Sequence, residues 1–272
     1  MRIAFIGGGH MSTSLVGGLV SRGTDPATLG VSDPVPEQLQ RLARDFRVRG
    51  TADNNEAVHD ADLVVLAVKP QEMANVARGI SRELVTRRRI VVSIAAGIRL
   101  GDLVRWLGDG VPVVRAMPNR PALIGAGITA LYAGREVTAA DRGAAGDLMA
   151  AVGETVWLDD ESQMDVVTAV SGSGPAYFFL LIEALEAAGI EHGLSPPTAR
   201  RLAVATAQGA GRMAAESGEA PSVLREQVTS KGGTTAAALE VLEASAVRAI
   251  FHHAVTAATR RSSELASEFG GR

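Results

Sequence analysis

The 272-residue chain contains no cysteine. That excludes thiolate nucleophiles, disulfides and zinc–thiolate centres. Aromatic residues make up only 4% against 46% hydrophobic, so the core must be built from Ala, Val, Leu and Ile. Such a composition favours closely packed helices and parallel strands over an aromatic-rich β-sandwich. Lysine is nearly absent too: of 27 cationic residues only Lys69 and Lys231 are not arginine. There is no basic block and the formal net charge is −3, which argues against nucleic acid as a partner. No uninterrupted apolar run approaches the ~18 residues of a membrane span. The N-terminus enters a strand directly, without a signal peptide's basic and apolar regions, so a cytoplasmic protein is expected. Also missing are a strand-end His–Asp pair, a close-set group of metal ligands and a G-x-S-x-G elbow. No metal is therefore expected.

What is present falls into two regimes. Up to residue 158, short apolar runs alternate with helical segments, as in a parallel α/β sheet. The runs are Arg2–Ile6, Thr28–Ser32, Asp62–Val68, Ile90–Ile94, Val111–Ala116, Gly127–Tyr132 and a last one at Val156–Leu158. Those at VVLAV and IVVSI do not alternate, as expected of strands covered on both faces. From Gln163 to Phe269 the chain reads as nearly continuous helix, broken at Gly189–Gly193, Pro196–Pro197, Ser217–Pro221 and Lys231–Gly233. The expected organisation is α/β: a Rossmann-type dinucleotide-binding domain over 1–158, then an all-α dimerisation and substrate domain over 159–272. Segments Ala176–Ala188 and Ala199–Ala215 are apolar around much of their circumference. A bundle of this size cannot cover such faces alone, so a homodimer is expected.

The opening motif, IAFIGGGHMSTSLVGGL, places Gly7-x-Gly9 between a strand and a helix. Gly7 permits the tight turn, and Gly9 lets a pyrophosphate approach the helix start. Ser12 replaces the third glycine and is small enough for close packing. His10 and Met11 belong to the same phosphate loop, His10 as a neighbour of the phosphates rather than a catalytic imidazole. Asp33 lies roughly 25 residues beyond Gly7, where an acid hydrogen-bonds an unphosphorylated ribose. That leans locally to NADH, whereas Ser32 and Asn54 are suited to a 2′-phosphate. Three further loops end strands on the ligand-binding edge of such a sheet. They are Ala67-Val68-Lys69-Pro70, the small-residue turn Ala95-Ala96-Gly97, and Met117-Pro118-Asn119.

The second informative stretch is VTSKGGTTAAALEVLE, Val228 to Glu243. Gly232 and Gly233 leave their N–H groups open to an anion, and Thr234 and Thr235 stand where a helix N-cap belongs. A helix start of this kind favours a carboxylate by roughly 0.3–1 kcal/mol. A nucleotide site at one end and a small-anion site at the other imply a two-substrate enzyme. The helical half opens with AVSGSGPAY, where Ala176, Tyr177 and Phe178 stand. β-Hydroxyacid dehydrogenases, of similar architecture, place a catalytic lysine there. Reducing a carbonyl requires an acid to protonate oxygen. A cyclic imine needs much less, because its nitrogen is readily protonated and the iminium takes hydride directly.

The set GGGHM, AVKP, SIAAG, RAMPN, AVSGSGPAY and VTSKGGTTAAALEVLE, in this order and spacing, resembles pyrroline-5-carboxylate reductase over nearly the whole chain. The resemblance implies NAD(P)H-dependent reduction of 1-pyrroline-5-carboxylate to L-proline, with NADPH the expected coenzyme and NADH the alternative. It implies that Ser230, Gly232, Gly233, Thr234 and Thr235 bind the substrate carboxylate, and that Thr235 donates near the ring nitrogen. It also implies dimers through interlocked C-terminal helices, assembled further into rings of five. Three residues depart from the family's usual pattern: His10 for asparagine, Arg120 for threonine and Lys231 for proline. None removes a group the reaction requires. Two rivals are an imine or hydroxyacid reductase with another substrate, and a nucleotide-sensing relative. The missing lysine and the GGTT turn count against the first, and Thr234 and Thr235 against the second.

Overall fold

In the computed structural model, which describes residues 1–271, the chain begins as a βα alternation. In order come β1 (Ile3–Ile6), α1 (His10–Ser21), β2 (Leu29–Ser32), α2 (Pro36–Phe46), β3 (Arg49–Thr51), α3 (Asn54–His59), β4 (Leu63–Leu66) and α4 (Pro70–Thr86). There follow β5 (Ile90–Ser93), α5 (Leu100–Leu107), β6 (Val113–Pro118), β7 (Gly127–Ala133), α6 (Ala139–Ala150) and β8 (Gly153–Trp157). The rest is helical: α7 (Gln163–Val167), a π-helical turn over Thr168–Gly172, α8 (Gly174–Glu191), α9 (Pro196–Glu216), α10 (Pro221–Gln227), α11 (Thr234–Ala244) and α12 (Val247–Gly270).

The strands form one sheet in the order β3-β2-β1-β4-β5-β6-β7-β8. Alternate residues serve its two faces. Ile3, Phe5, Leu63 and Val65 join one apolar cluster, and Ala4, Ile6, Val64 and Leu66 the other. This two-sided burial is why these strands read as unbroken apolar runs. The sheet is mixed rather than all parallel, because β7 runs antiparallel to β6. Only residues 119–126 join the two, fewer than the roughly dozen that a parallel crossover needs. A 3-10 turn over Arg120–Ile124, closed by Gly125 at φ 73, reverses the chain there. β3 has no apolar run to announce it; it is a three-residue edge strand, RGT.

α6 begins with a capping box between Thr138 and Asp141. Arg88, just before β5, donates to both Asp141 carboxylate oxygens. That guanidinium, with the Thr138 N–H and hydroxyl, holds the Asp141 carboxyl down at about 2 against 3.8. A folded-state value below the unfolded one means stabilisation that is full above about pH 4 and lost as pH falls through about 2. Asp141 is nearly buried, so the shift corresponds to about 2 kcal/mol. Asp141→Asn should lower the urea-unfolding free energy at pH 7 by about that amount. The difference from the unaltered chain should shrink between pH 4 and pH 2; a constant difference would show that the pair does not titrate as described.

Contacts divide the chain into two units. The first is Met1–Gly172 together with the chain from Ala258 onward, and the second is Ser173–Ala257. The sheet ends at Trp157, next to the boundary expected at 158. However, α7 and the end of α12 are tied to the sheet unit by polar bonds. Asp165 accepts from Ser262 at 2.6 Å, and Gly270 O from Arg105 at 2.5 Å.

In the second unit α8 and α9 pack together, with Gly189 against Leu194 and Ala199. α11 and α12 are separate helices, where the sequence pattern reads as continuous; Ala246 at φ 55 breaks them. Much apolar surface stays exposed, including Phe178 at 64%, Leu180 at 66% and Val241 at 66%. One helical run, Gln163–Glu191, with mean hydropathy 1.4, is long and apolar enough to cross a bilayer. That differs from the expectation from the sequence, because the polar stretch Ser171–Gly174 splits the run into shorter apolar segments.

Candidate functional site

β1, β2, β4, β5 and β6 are parallel neighbours, so their carboxyl ends lie on one edge of the sheet. Every residue expected to hold a dinucleotide lies on or just beyond that edge. Gly7 adopts φ +104, and a Cβ there would meet the Ala67 carbonyl oxygen at 2.7 Å. The turn can therefore press against the end of β4 only with glycine. Gly7 N–H donates to Ser32 O at 2.7 Å, and Ser12, fully buried, donates to Gly7 O at 2.5 Å. Gly9 is different: it is exposed, and a Cβ on it would meet nothing within 4 Å. It is also the N-cap of α1, with no side-chain cap, so the first N–H groups of that helix have no side-chain acceptor. The uncapped start and the open space above Gly9 fit a pyrophosphate. His10 and Met11 open the helix, His10 exposed and Met11 half-buried.

Asp33 is where the structure departs most from the simple reading. Its Oδ2 accepts from Gly8 N–H at 2.7 Å and its Oδ1 from Val35 N–H at 2.8 Å. The carboxylate thus also shapes the glycine turn. Ser32 is buried and donates to Asn54 Oδ1 at 2.6 Å. Lys69 is exposed at the N-cap of α4, with Pro70 following at the first helical position.

The Ala95–Gly97 turn follows β5. Gly97 has φ +70 and lies against Phe269 and Leu265 of α12. Met117 and Asn119 end β6. Gly172 stands so close to Met117 that a Cβ would lie 2.6 Å from its methyl carbon. Asn119 donates to the Ser171 hydroxyl at 3.3 Å and accepts from Ile128 N–H at 3.0 Å. Ser171 and Gly172 are in the π-helical turn, a feature frequent at functional sites. The wider turn has no periodicity signature, so the sequence shows only a glycine-relaxed helix start. Other participants were not legible either. Arg41, one arginine among many, donates to Thr13 Oγ1 at 2.9 Å behind the glycine turn.

The anion turn lies in the second unit. Gly232 takes φ +72 and Gly233 N–H donates to Ser230 O at 3.0 Å. This is the pattern of a type II β-turn, with Lys231 at the position that favours proline. No space exists for a side chain on Gly233, because the Ser230 hydroxyl occupies it. The N-cap of α11 is Gly233, so Thr234 and Thr235 are its first two residues rather than caps. Neither hydroxyl has a partner among the described residues. Thr234 is exposed and Thr235 half-buried. The first-turn N–H groups and the two hydroxyls together offer several donors to a carboxylate.

A Rossmann-type sheet with a glycine turn after β1 is the architecture used by nicotinamide-coenzyme oxidoreductases. Residues 2–97 match the family model described as NADP oxidoreductase coenzyme F420-dependent. Residues 161–265 match the one described as pyrroline-5-carboxylate reductase dimerisation. A pyrroline-5-carboxylate reductase of Pseudomonas aeruginosa is 50% identical, over 99% of this chain and 98% of its own. Among solved structures, the pyrroline-5-carboxylate reductase of Coxiella burnetii matches with TM-score 0.94 and 40% identity, over 97% of this chain and 98% of that one. A Plasmodium falciparum pyrroline carboxylate reductase with NADP bound matches with TM-score 0.85 and 28% identity, covering 98% of both. The chain belongs to the pyrroline-5-carboxylate reductase family.

Proposed function

We infer that the chain carries out the reduction for which its family is named, converting 1-pyrroline-5-carboxylate to L-proline at the expense of a reduced nicotinamide coenzyme. The observation that carries this reading is the uncapped start of α11, where two threonine hydroxyls and the Gly232–Gly233 turn form a carboxylate-sized donor set without an acid. The coenzyme supplies hydride. Gly7, Gly9, His10 and Met11 receive its pyrophosphate, Ala67–Pro70 and Ala95–Gly97 line its path, and Met117 and Asn119 flank its nicotinamide end. Ser230, Gly232, Gly233 and Thr234 hold the substrate carboxylate, and Thr235 donates to the ring nitrogen. Catalysis is then positioning and water exclusion rather than acid–base strength.

NADPH is the proposed coenzyme, with NADH as the weaker alternative. The Ser32–Asn54 pair and the NADP bound to the Plasmodium relative support this choice. The reading is tested by following reduced-nicotinamide absorbance with 1-pyrroline-5-carboxylate, using NADPH and NADH in parallel and identifying the product. Oxidation of coenzyme with formation of proline is expected, faster with NADPH. Cofactor binding without oxidation would overturn the assignment.

The exposed apolar side chains of α8, α11 and α12 support a homodimer formed through the second unit, as the dimerisation family model does. A ring of five such dimers is the proposed larger assembly, and the cytoplasm the proposed location. Sedimentation velocity at micromolar concentration should show no monomer.

A further inference from the structure

One carboxylate oxygen joins the two loops that flank the nicotinamide end of the proposed coenzyme site. Glu161 Oε1 accepts from Leu100 N–H at 2.6 Å and from Arg115 Nη1 at 2.5 Å. Leu100 closes the segment that begins with Ala95–Gly97 and opens α5, whose N-cap, Arg99, provides no side-chain cap. Arg115 is on β6, two residues before Met117. It is 8% exposed and lies in register beside Ser93, the last residue of β5. Ser93 is itself buried, with a hydroxyl that has no hydrogen-bond partner.

The consequences are geometric. At its start the Ala95–Gly97 segment is pinned by Ile94 N–H on Leu66 O at 3.1 Å. In its middle, Gly97 lies against Phe269. Towards its far end Ile98 is fully buried in the core, and the Leu100 N–H, which the helix leaves unsatisfied, donates to Glu161. The same oxygen holds Arg115, so one carboxylate links the segment after Ala95–Gly97 to the strand that leads into Met117–Asn119. Among the described residues no other polar bridge joins these segments, because β5 and β6 pair only up to Ser93 and Arg115.

We propose that Glu161 and Arg115 are positioning residues that fix the width of the nicotinamide slot. The proposal rests on the reading of this chain as a nicotinamide-dependent imine reductase. Both donors converge on one oxygen, so the acceptor geometry of Glu161 matters in addition to the charge that pairs with the nearly buried Arg115. Glutamine keeps that oxygen; alanine removes it. Aspartate keeps the charge but is one methylene too short to meet both donors without movement.

The test compares Glu161→Ala, Glu161→Gln and Glu161→Asp with the unaltered chain. Turnover is measured with NADPH and 1-pyrroline-5-carboxylate. Affinity is measured for NADPH and for 2′-phospho-ADP-ribose, the coenzyme without its nicotinamide. In Glu161→Ala kcat should fall about 10- to 100-fold, the scale of misplacing a reacting group by about an ångström. Its affinity for 2′-phospho-ADP-ribose should stay within about twofold, because the glycine turn is untouched, and Glu161→Gln should keep kcat within about threefold. Unchanged kcat in Glu161→Ala would overturn the proposal. So would parallel loss of both affinities with a lowered thermal midpoint, or no rescue by glutamine. Should Glu161→Ala fail to fold, Glu161→Asp must show the same split between kcat and fragment affinity. If the unaltered chain does not reduce the imine, the functional reading fails. The positioning role is then still read from loss of the extra affinity that nicotinamide confers on NADPH over the fragment.

Discussion

Replacing Thr235 by alanine should lower kcat about 100-fold, the scale of removing one oriented donor. Thr235 is the second residue of α11, half-buried, with a hydroxyl that has no partner among the described residues. A half-buried hydroxyl with no bond among the described residues is available to a ligand. The loss cannot be assigned to unfolding, because alanine has the higher helix propensity by up to ~0.7 kcal/mol. Thr235→Ser should recover most of the activity, since serine restores the hydroxyl. Thr234→Ala should raise KM for the imine more than it lowers kcat, as expected for a carboxylate contact made equally in ground and transition states. Turnover like that of the unaltered chain in Thr235→Ala would remove the threonine from the mechanism.

The second large effect is expected at Gly9. Gly9→Val should abolish coenzyme binding and leave the fold intact. The backbone there, φ −68 and ψ −174, is open to any residue, and a Cβ would meet nothing within 4 Å. The added side chain therefore costs the protein little and fills only the space above the α1 start, where the pyrophosphate belongs. Isothermal titration with NADPH should show no heat at concentrations that saturate the unaltered chain, while circular dichroism and thermal unfolding match it. Gly7→Ala provides the contrast. At φ +104 and 2.7 Å from Ala67 O, its methyl group must displace β4 or strain the turn. A cost of about 1–3 kcal/mol in stability is expected. Two glycines two positions apart should thus separate into one needed by the ligand and one needed by the fold. Coenzyme affinity retained in Gly9→Val would move the pyrophosphate away from α1.

The sheet strands, the glycine turn and the GGTT helix start were legible because each is a local pattern. Apolar runs such as LVVL mark doubly covered strands, and glycine pairs mark backbone that must be approached closely. β3 escaped notice since an exposed three-residue edge strand buries too little to need apolar residues. The antiparallel turn of β7 escaped it because strand direction follows from connection length and the 3-10 turn at Arg120, not from the strand itself. At α11 the residues were legible, but the N-cap fell on Gly233, a shift of one residue that frees both threonine hydroxyls.

By itself the sequence determined a Rossmann-type half followed by a helical half, the absence of any thiol, and the residue types at the glycine turn and the GGTT helix start. Those follow from composition and from spacings of a few residues, which backbone geometry translates directly. Only the tertiary structure decided how the acids are used. Asp33 reaches back 25 positions to Gly8, and Glu161 reaches 46 to Arg115 and 61 to Leu100. Bonds across such separations depend on which elements the core brings side by side, and no local spacing encodes that.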